Sequence, residues 1–368
     1  MSEGLEAALA FAGAGLLAFV TIPLARRIAI VTDFLDHPQS YKKHGRAVPY
    51  LGGAGVMAAF VIAGGVADAG DGVSGFTTVL AMALCLCVMG TIDDRRTLPP
   101  GIRFLIQAGA GAVLWADHIR WEPFGIPALD FLVTIIWVAG LTNAFNLLDN
   151  IDGASGTTGA VSAASIGVVA LSEGAGTLAA LAFALSGACA VFLTFNLTER
   201  RKLFLGDGGS MPLGFLIAGL AMMVPTGLGD LAVLAAVPLA GVAIFDTSLV
   251  VVSRRRRGVG ILTGGRDHST HRLLRPLGTP ARVALALGLA QGALGALAVV
   301  MSDMSNTGVL IASCAYVALG ISLIVLFEGP ALAPEPGSNP GSQQVGPIRH
   351  PSSSPTEAAT RTPLTEKA

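Results

Sequence analysis

The chain has 368 residues, 52% hydrophobic and only 13% charged, with a net charge of −1 and a mean hydropathy of +0.68. Soluble domains carry about 25% charged residues, so an ordinary water-soluble globule is excluded, and no nucleic-acid partner is expected. The four cysteines, Cys85, Cys87, Cys189 and Cys314, all lie in apolar stretches without metal-type spacing, which excludes a disulfide scaffold and a zinc module.

Apolar runs of membrane-helix length recur along the chain. In order they cover 4–25, 51–67, 75–92, 102–117, 127–142, 157–172, 176–195, 211–227, 231–252, 281–301 and 308–328. Some are short or rich in glycine, so the expected fold is an all-α polytopic membrane protein with ten or eleven transmembrane helices. Glu3 and Glu6 precede the first run, and Arg26 and Arg27 follow it. That order is the reverse of a signal peptide, so the helix should be retained with its N-terminus outside.

If alternate loops lie on opposite sides, one side holds 26–50, 93–101, 143–156, 196–210, 253–280 and the chain from 329. With Arg103 and Arg282 counted at the helix starts they flank, that side carries 22 of the 23 Lys and Arg, and only Arg120 falls opposite. Positive charge accumulates in cytoplasmic loops, which assigns these loops to the cytoplasm. Residues 1–330 read as one polytopic transmembrane domain. Residues 331–368, rich in Pro, Ser and Gly, read as a disordered cytoplasmic tail.

Every conspicuous polar cluster falls on the same side. The first, 36–53, contains Lys42, Lys43, His44 and Arg46 before Gly52 and Gly53. Such lysines either touch anionic lipid or hold the phosphate of a lipid substrate. The second ends an apolar helix on two adjacent acids, Asp93 and Asp94. Acids at a helix C-terminus oppose the macrodipole, and neighbouring carboxylates repel. A bound divalent cation would answer both objections, and carboxylates with phosphate oxygens suit Mg²⁺.

The third cluster spaces Asn143, Asn146, Asp149 and Asp152 three apart, on one face of a helical turn. A helix cap needs one such residue, not four. The fourth, "FLGDGGS", sets Asp207 among glycines before an apolar helix, where the backbone can approach a ligand and the helix start favours anions. The fifth, "GGRDHSTHRLL", offers Arg266, His268, His271 and Arg272 for a phosphate or diphosphate. The preceding run Arg254–Arg257 reads as a positive anchor.

Taken in order, these clusters resemble the polyprenyl-phosphate N-acetylhexosamine-1-phosphate transferase family, glycosyltransferase family 4, over about residues 1–328. The most specific pieces are Asp36-x-Pro38 with Lys42 and His44, Pro49 with Gly52-Gly53, and Asp93-Asp94 with Gln107. The "NAFNLLDNIDG" stretch and Phe204-x-Gly206-Asp207-x-Gly209-Ser210 complete the set.

The resemblance implies a catalytic domain over 1–330 that joins a UDP-N-acetylhexosamine to a polyprenyl phosphate and releases UMP. It requires Mg²⁺, with Mn²⁺ as a substitute, at the inner face of a bacterial cytoplasmic membrane, and a homodimer is compatible with it. It implies catalytic roles for Asp93, Asp94, Asp149, Asp152, Asp207 and His268, with Asp93, Asp94 and Asp207 around the metal. Substrate contacts fall to Lys42, Lys43, His44, Asn146, Phe204, His271 and Arg272. Much of the family carries a run of histidines where this chain has Asp267-His268-Ser269-Thr270-His271, with threonine at one of those positions. That departure favours UDP-GlcNAc over the pentapeptide donor of the related phospho-MurNAc-pentapeptide transferase. The rival class, an ion-coupled transporter, would set its acids near the membrane midplane rather than at helix ends on one side.

Overall fold

The structure, a computed structural model, describes residues 2–36, 47–70, 72–261 and 263–334. In a bilayer every backbone polar group must be satisfied within the chain, so long uncharged segments fold as helices. All eleven apolar runs are largely helical, although the run 211–227 leaves its helix after Met222. In chain order the helices are α1 (Glu3–Val31), α2 (Gly52–Asp68), α3 (Phe76–Arg95), α4 (Pro100–Ala116), α5 (Pro127–Leu148), α6 (Ala154–Ser172) and α7 (Gly176–Asn196). They continue as α8 (Asp207–Met222), α9 (Ala232–Ala236), α10 (Gly241–Arg257), α11 (Ser269–Leu277), α12 (Pro280–Ser302) and α13 (Asn306–Phe327).

Among the described residues, eight helical stretches are long and apolar enough to cross a membrane: α1, α3, α5, α6, α7, Gly229–Arg257, α12 and α13. The protein is a multi-pass, all-α membrane protein. Its shorter helices α2, α4 and α8 run 17, 17 and 16 residues. Within Gly229–Arg257 the expected single helix over 231–252 is interrupted. A 3₁₀ turn at Val237–Ala240 contains Pro238, which has no N–H for the helical ladder. The buried amide of Gln291 on α12 repairs the gap. It donates to the carbonyls of Pro238 and Leu239 at 3.0 Å and accepts the Val242 N–H at 3.1 Å.

The centre of the molecule is α8, buried from Gly208 to Met222 and packed between α3 and α5. Small residues make this closeness possible. A side chain at Gly90 on α3 would collide with the Asp207 backbone, and one at Gly53 on α2 with Gly209. At the other extreme α13 buries only Val309 and Phe327, leaving a face of Leu310, Ile311, Val317 and Ile321 for lipid. A two-stranded antiparallel ladder, β1 (Leu35–Asp36) with β2 (Val48–Pro49), is the only sheet among the described residues. Lys42, Lys43 and His44 lie outside the described residues, as does the tail from 335.

Candidate active site

Helix ends build the site. The segment before α8 runs extended beside the entry to α2: Phe204 N–H donates to the Pro49 carbonyl, and Gly52 and Gly53 donate to Phe204 and Leu205. This pairing delivers Asp207 to the end of α3. There the Asp94 carboxylate accepts the backbone N–H groups of Asp207 at 2.9 Å and Gly208 at 3.1 Å. An acid misplaced at the C-terminus of its own helix is therefore well placed at the N-terminus of the next one.

Asp207 in turn accepts the Asn146 amide at 2.7 Å, and Asn146 also donates to Ser210 Oγ at 3.1 Å. Asn146, expected to touch substrate, orients Asp207. Asn143 donates to the buried Gln107 and to the Ala139 carbonyl. The four-residue face stops short, because α5 ends at Leu148 and Asp149 is its C-cap. Asp152 lies in the turn beyond, completed by Gly153 with φ +80°, and meets Lys202 at 2.9 Å.

Asp93 departs from expectation. Its two oxygens accept Leu98 N–H at 2.6 Å and Arg103 Nη1 at 2.8 Å, and the residue is buried. It holds Arg103, whose Nη1 lies 3.8 Å from Asp207, rather than facing solvent. The expected metal set of Asp93, Asp94 and Asp207 is thus not ready-made, since backbone or Arg103 engages the first two. Among the described residues, no three His, Cys, Asp or Glu side chains stand together as a cage for a metal ion.

The fifth cluster divides. His268 caps α11 from a buried position, its Nδ1 2.7 Å from Asp246 Oδ2, while Asp246 Oδ1 accepts both the N–H and the hydroxyl of Ser269. It was expected to act on substrate; it is buried against Asp246, whereas His271 lines the cavity. Arg272 borders the cavity, yet its guanidinium is engaged internally and is 1% exposed. Thr270 bonds Asn150, tying this loop to the Asp149–Asp152 turn.

These pieces meet in one open cavity of about 1500 Å³. Asp94, Asp149, Asp152, Asp207 and Phe204 line it, and so do Arg26, Arg200, Lys202, Arg266 and His271. Its lining comes entirely from the loops and helix ends on the side rich in Lys and Arg, and no opposite loop contributes. Arg26, Arg200 and Arg266 form no ion pair among the described residues.

Burial pushes the Asp149 carboxyl well above the usual range, and the charges of Asp207, Asp94 and Asp152 push it further. Burial, then His268 and Arg266, lower His271 to about 4. Burial alone would lower Lys202, but Asp152 and Glu199 hold it above its ordinary value. Sequence reasoning missed Arg103, Lys202, Asp246 and Tyr50, which lines the cavity with its ring centroid 5.9 Å from that of Phe204. Asp246 had a usable signal, as the lone acid of the apolar run 231–252.

Comparison with known proteins now adds independent information. Residues 76–225 match the sequence model of glycosyl transferase family 4, a span that holds Asp93, Asp94, Asn146, Asp149, Asp152, Phe204 and Asp207. The chain is 28% identical over 276 residues to a probable undecaprenyl-phosphate N-acetylglucosaminyl 1-phosphate transferase of Bacillus subtilis (strain 168), covering 72% of this chain and 76% of the relative. It is also 28% identical to the undecaprenyl-phosphate alpha-N-acetylglucosaminyl 1-phosphate transferases of Escherichia coli (strain K12) and Salmonella typhi. Those matches cover 68% and 70% of this chain, and 72% and 73% of the relatives.

Proposed function

We propose that this chain is an enzyme of glycosyl transferase family 4 and transfers N-acetylglucosamine 1-phosphate from UDP-N-acetylglucosamine to a polyprenyl phosphate such as undecaprenyl phosphate. The reaction would begin a cell-envelope polysaccharide on the cytoplasmic face of a bacterial inner membrane. The carrying observation is that carboxylates from three separate segments, Asp94, Asp149 with Asp152, and Asp207, share one cavity with the guanidinium groups of Arg26, Arg200 and Arg266, which form no ion pair among the described residues. Lipid phosphate and nucleoside diphosphate are both anions, and phosphoryl transfer asks a protein chiefly for position and charge neutralisation.

In the reaction an oxygen of the lipid phosphate attacks the β-phosphorus of the donor. The new P–O bond forms as the bond from that phosphorus to the anhydride oxygen breaks, and UMP leaves with that oxygen. Arg266 and His271 receive the diphosphate, Phe204 and Tyr50 offer aromatic faces to the nucleoside, and Arg103 steadies Asp207. A phosphate monoester scarcely needs deprotonating near neutral pH, and Asp93 is engaged by Arg103, so no general base is invoked.

The acids suit Mg²⁺, or Mn²⁺ in its place. Burial raises Asp149 most, and a cation would relieve the further rise that the charges of Asp207, Asp94 and Asp152 add. Mg²⁺ usually takes one or two carboxylates together with substrate phosphates, so the lack of a three-ligand cage is compatible with it. Asp207 and Asp149 would hold the ion, which supplies charge neutralisation along the anhydride when bound.

The test is exchange of labelled UMP into UDP-GlcNAc by the purified protein. Exchange that needs both lipid phosphate and a divalent cation supports the reading, and its absence under those conditions ends it.

A further inference from the structure

The loop that presents Arg266 and His271 to the cavity does not hold itself. Helix α11 has only nine residues, and the segment before it is turn and bend. What fixes it is a buried ionic brace. Asp267 accepts Arg254 through both carboxylate oxygens at 2.8 Å and Arg257 at 2.6 Å. Arg272, the neighbour of His271, donates to the Asp267 carbonyl, Ser253 Oγ, the Phe327 carbonyl and Glu328 Oε1, each at 2.8 Å.

The last two partners belong to the end of α13, whose length is otherwise given to lipid. Its buried residues are Val309, near its start, and Phe327, which meets Phe245 edge-on with ring centroids 5.5 Å apart. Glu328 follows directly, with its side chain 8% exposed. Its second oxygen lies 4.0 Å from Arg256.

A guanidinium as buried as Arg272 needs a counter-charge. The carboxylate of Asp267 is already held by Arg254 and Arg257, and Glu328 is the one acid that Arg272 ion-pairs with among the described residues. We propose that Glu328 is a positioning residue: it neutralises Arg272 and so locks the 264–272 loop, setting Arg266 and His271 toward the donor's diphosphate. This rests on the assignment of that loop to the donor. The last helix then serves as a latch whose working part is its cytoplasmic end, far along the chain from the acids it helps.

The experiment compares full-length wild type with Glu328→Ala and Glu328→Gln by hydrogen exchange, thermal unfolding and steady-state kinetics. Glu328→Ala should speed exchange over 264–277 while α3, α5 and α8 keep their protection. It should raise the KM for UDP-GlcNAc about tenfold or more, the scale expected from a misplaced binding group, and leave the KM for polyprenyl phosphate unchanged. Glu328→Gln retains a carbonyl acceptor for Arg272 and should fall between the two. If Glu328→Ala does not fold, Glu328→Gln carries the same comparison, with a smaller rise confined to the donor. Faster exchange throughout the protein, or an unchanged donor KM in a variant with a loosened loop, overturns the proposal. A wild type without transferase activity would instead overturn the functional reading, while local loosening in the variants would still identify the brace.

Discussion

Asp94 and Asp207, expected to meet through a metal, meet through the backbone: the Asp94 carboxylate receives the Asp207 N–H at 2.9 Å. The side chain of Asp207 is thereby left to Asn146 and to the cavity. The two acids thus sit differently, the Asp94 carboxylate holding the start of α8 and the Asp207 carboxylate held by Asn146 at the cavity wall.

Their substitutions should separate accordingly. Asp94→Ala removes a cap and should lower stability by about 1 kcal/mol. Asp207→Asn keeps the N–H bonds to Asp94 and should unfold near the wild-type temperature, yet lose turnover by about a hundredfold or more, as when a key electrostatic group is removed. Thermal unfolding and kcat, measured on both, give the comparison. An active Asp207→Asn enzyme, or wild-type activity in excess chelator, would remove Asp207 and its cation from the chemistry.

Lys202 and Asp152 should act as a unit. The pair is 2.9 Å apart, with side chains 18% and 20% exposed, whereas fully exposed pairs are worth 0–1 kcal/mol or so. A double-mutant cycle on kcat/KM with Lys202→Ala and Asp152→Ala should give a coupling above about 1 kcal/mol. Additive losses would mean that each residue contacts the substrates independently.

His271 makes a prediction about pH. Burial holds it near 4 in the free protein, so it is neutral at pH 7. An adjacent diphosphate favours the protonated form. Donor binding should therefore take up a proton, and affinity for UDP-GlcNAc should rise as pH falls from 7 toward about 4. Calorimetry in two buffers of different ionisation enthalpy reads this directly. The uptake should vanish in His271→Ala, and uptake that persists there would assign the proton elsewhere.

Much of this was legible from residues alone, for physical reasons. Charge is scarce in an apolar chain, so clusters at helix ends are conspicuous, and the Lys and Arg asymmetry correctly grouped every segment that lines the cavity. What sequence could not reveal was the partner of each acid. Asp93 and Asp94 look like one motif, but successive helix residues point about 100° apart, so one reaches Arg103 and the other reaches α8. His268 and Arg272 resembled substrate ligands because their partners, Asp246 and Glu328, lie 22 and 56 residues away. Lys202 was indistinguishable from the neighbouring Arg200 and Arg201 until the Asp149–Asp152 turn was folded against it.

The most direct measurement is formation of lipid-linked product from undecaprenyl phosphate and Mg²⁺ with each of two donors, UDP-GlcNAc and UDP-MurNAc-pentapeptide, using the purified protein in reconstituted membranes. The cavity's histidine-poor loop, with Thr270 bonded to Asn150, predicts polyprenyl-diphosphate-GlcNAc and UMP in equal amounts from the first donor and no product from the second. Product from the pentapeptide donor in preference to UDP-GlcNAc, or no product from either, would contradict it.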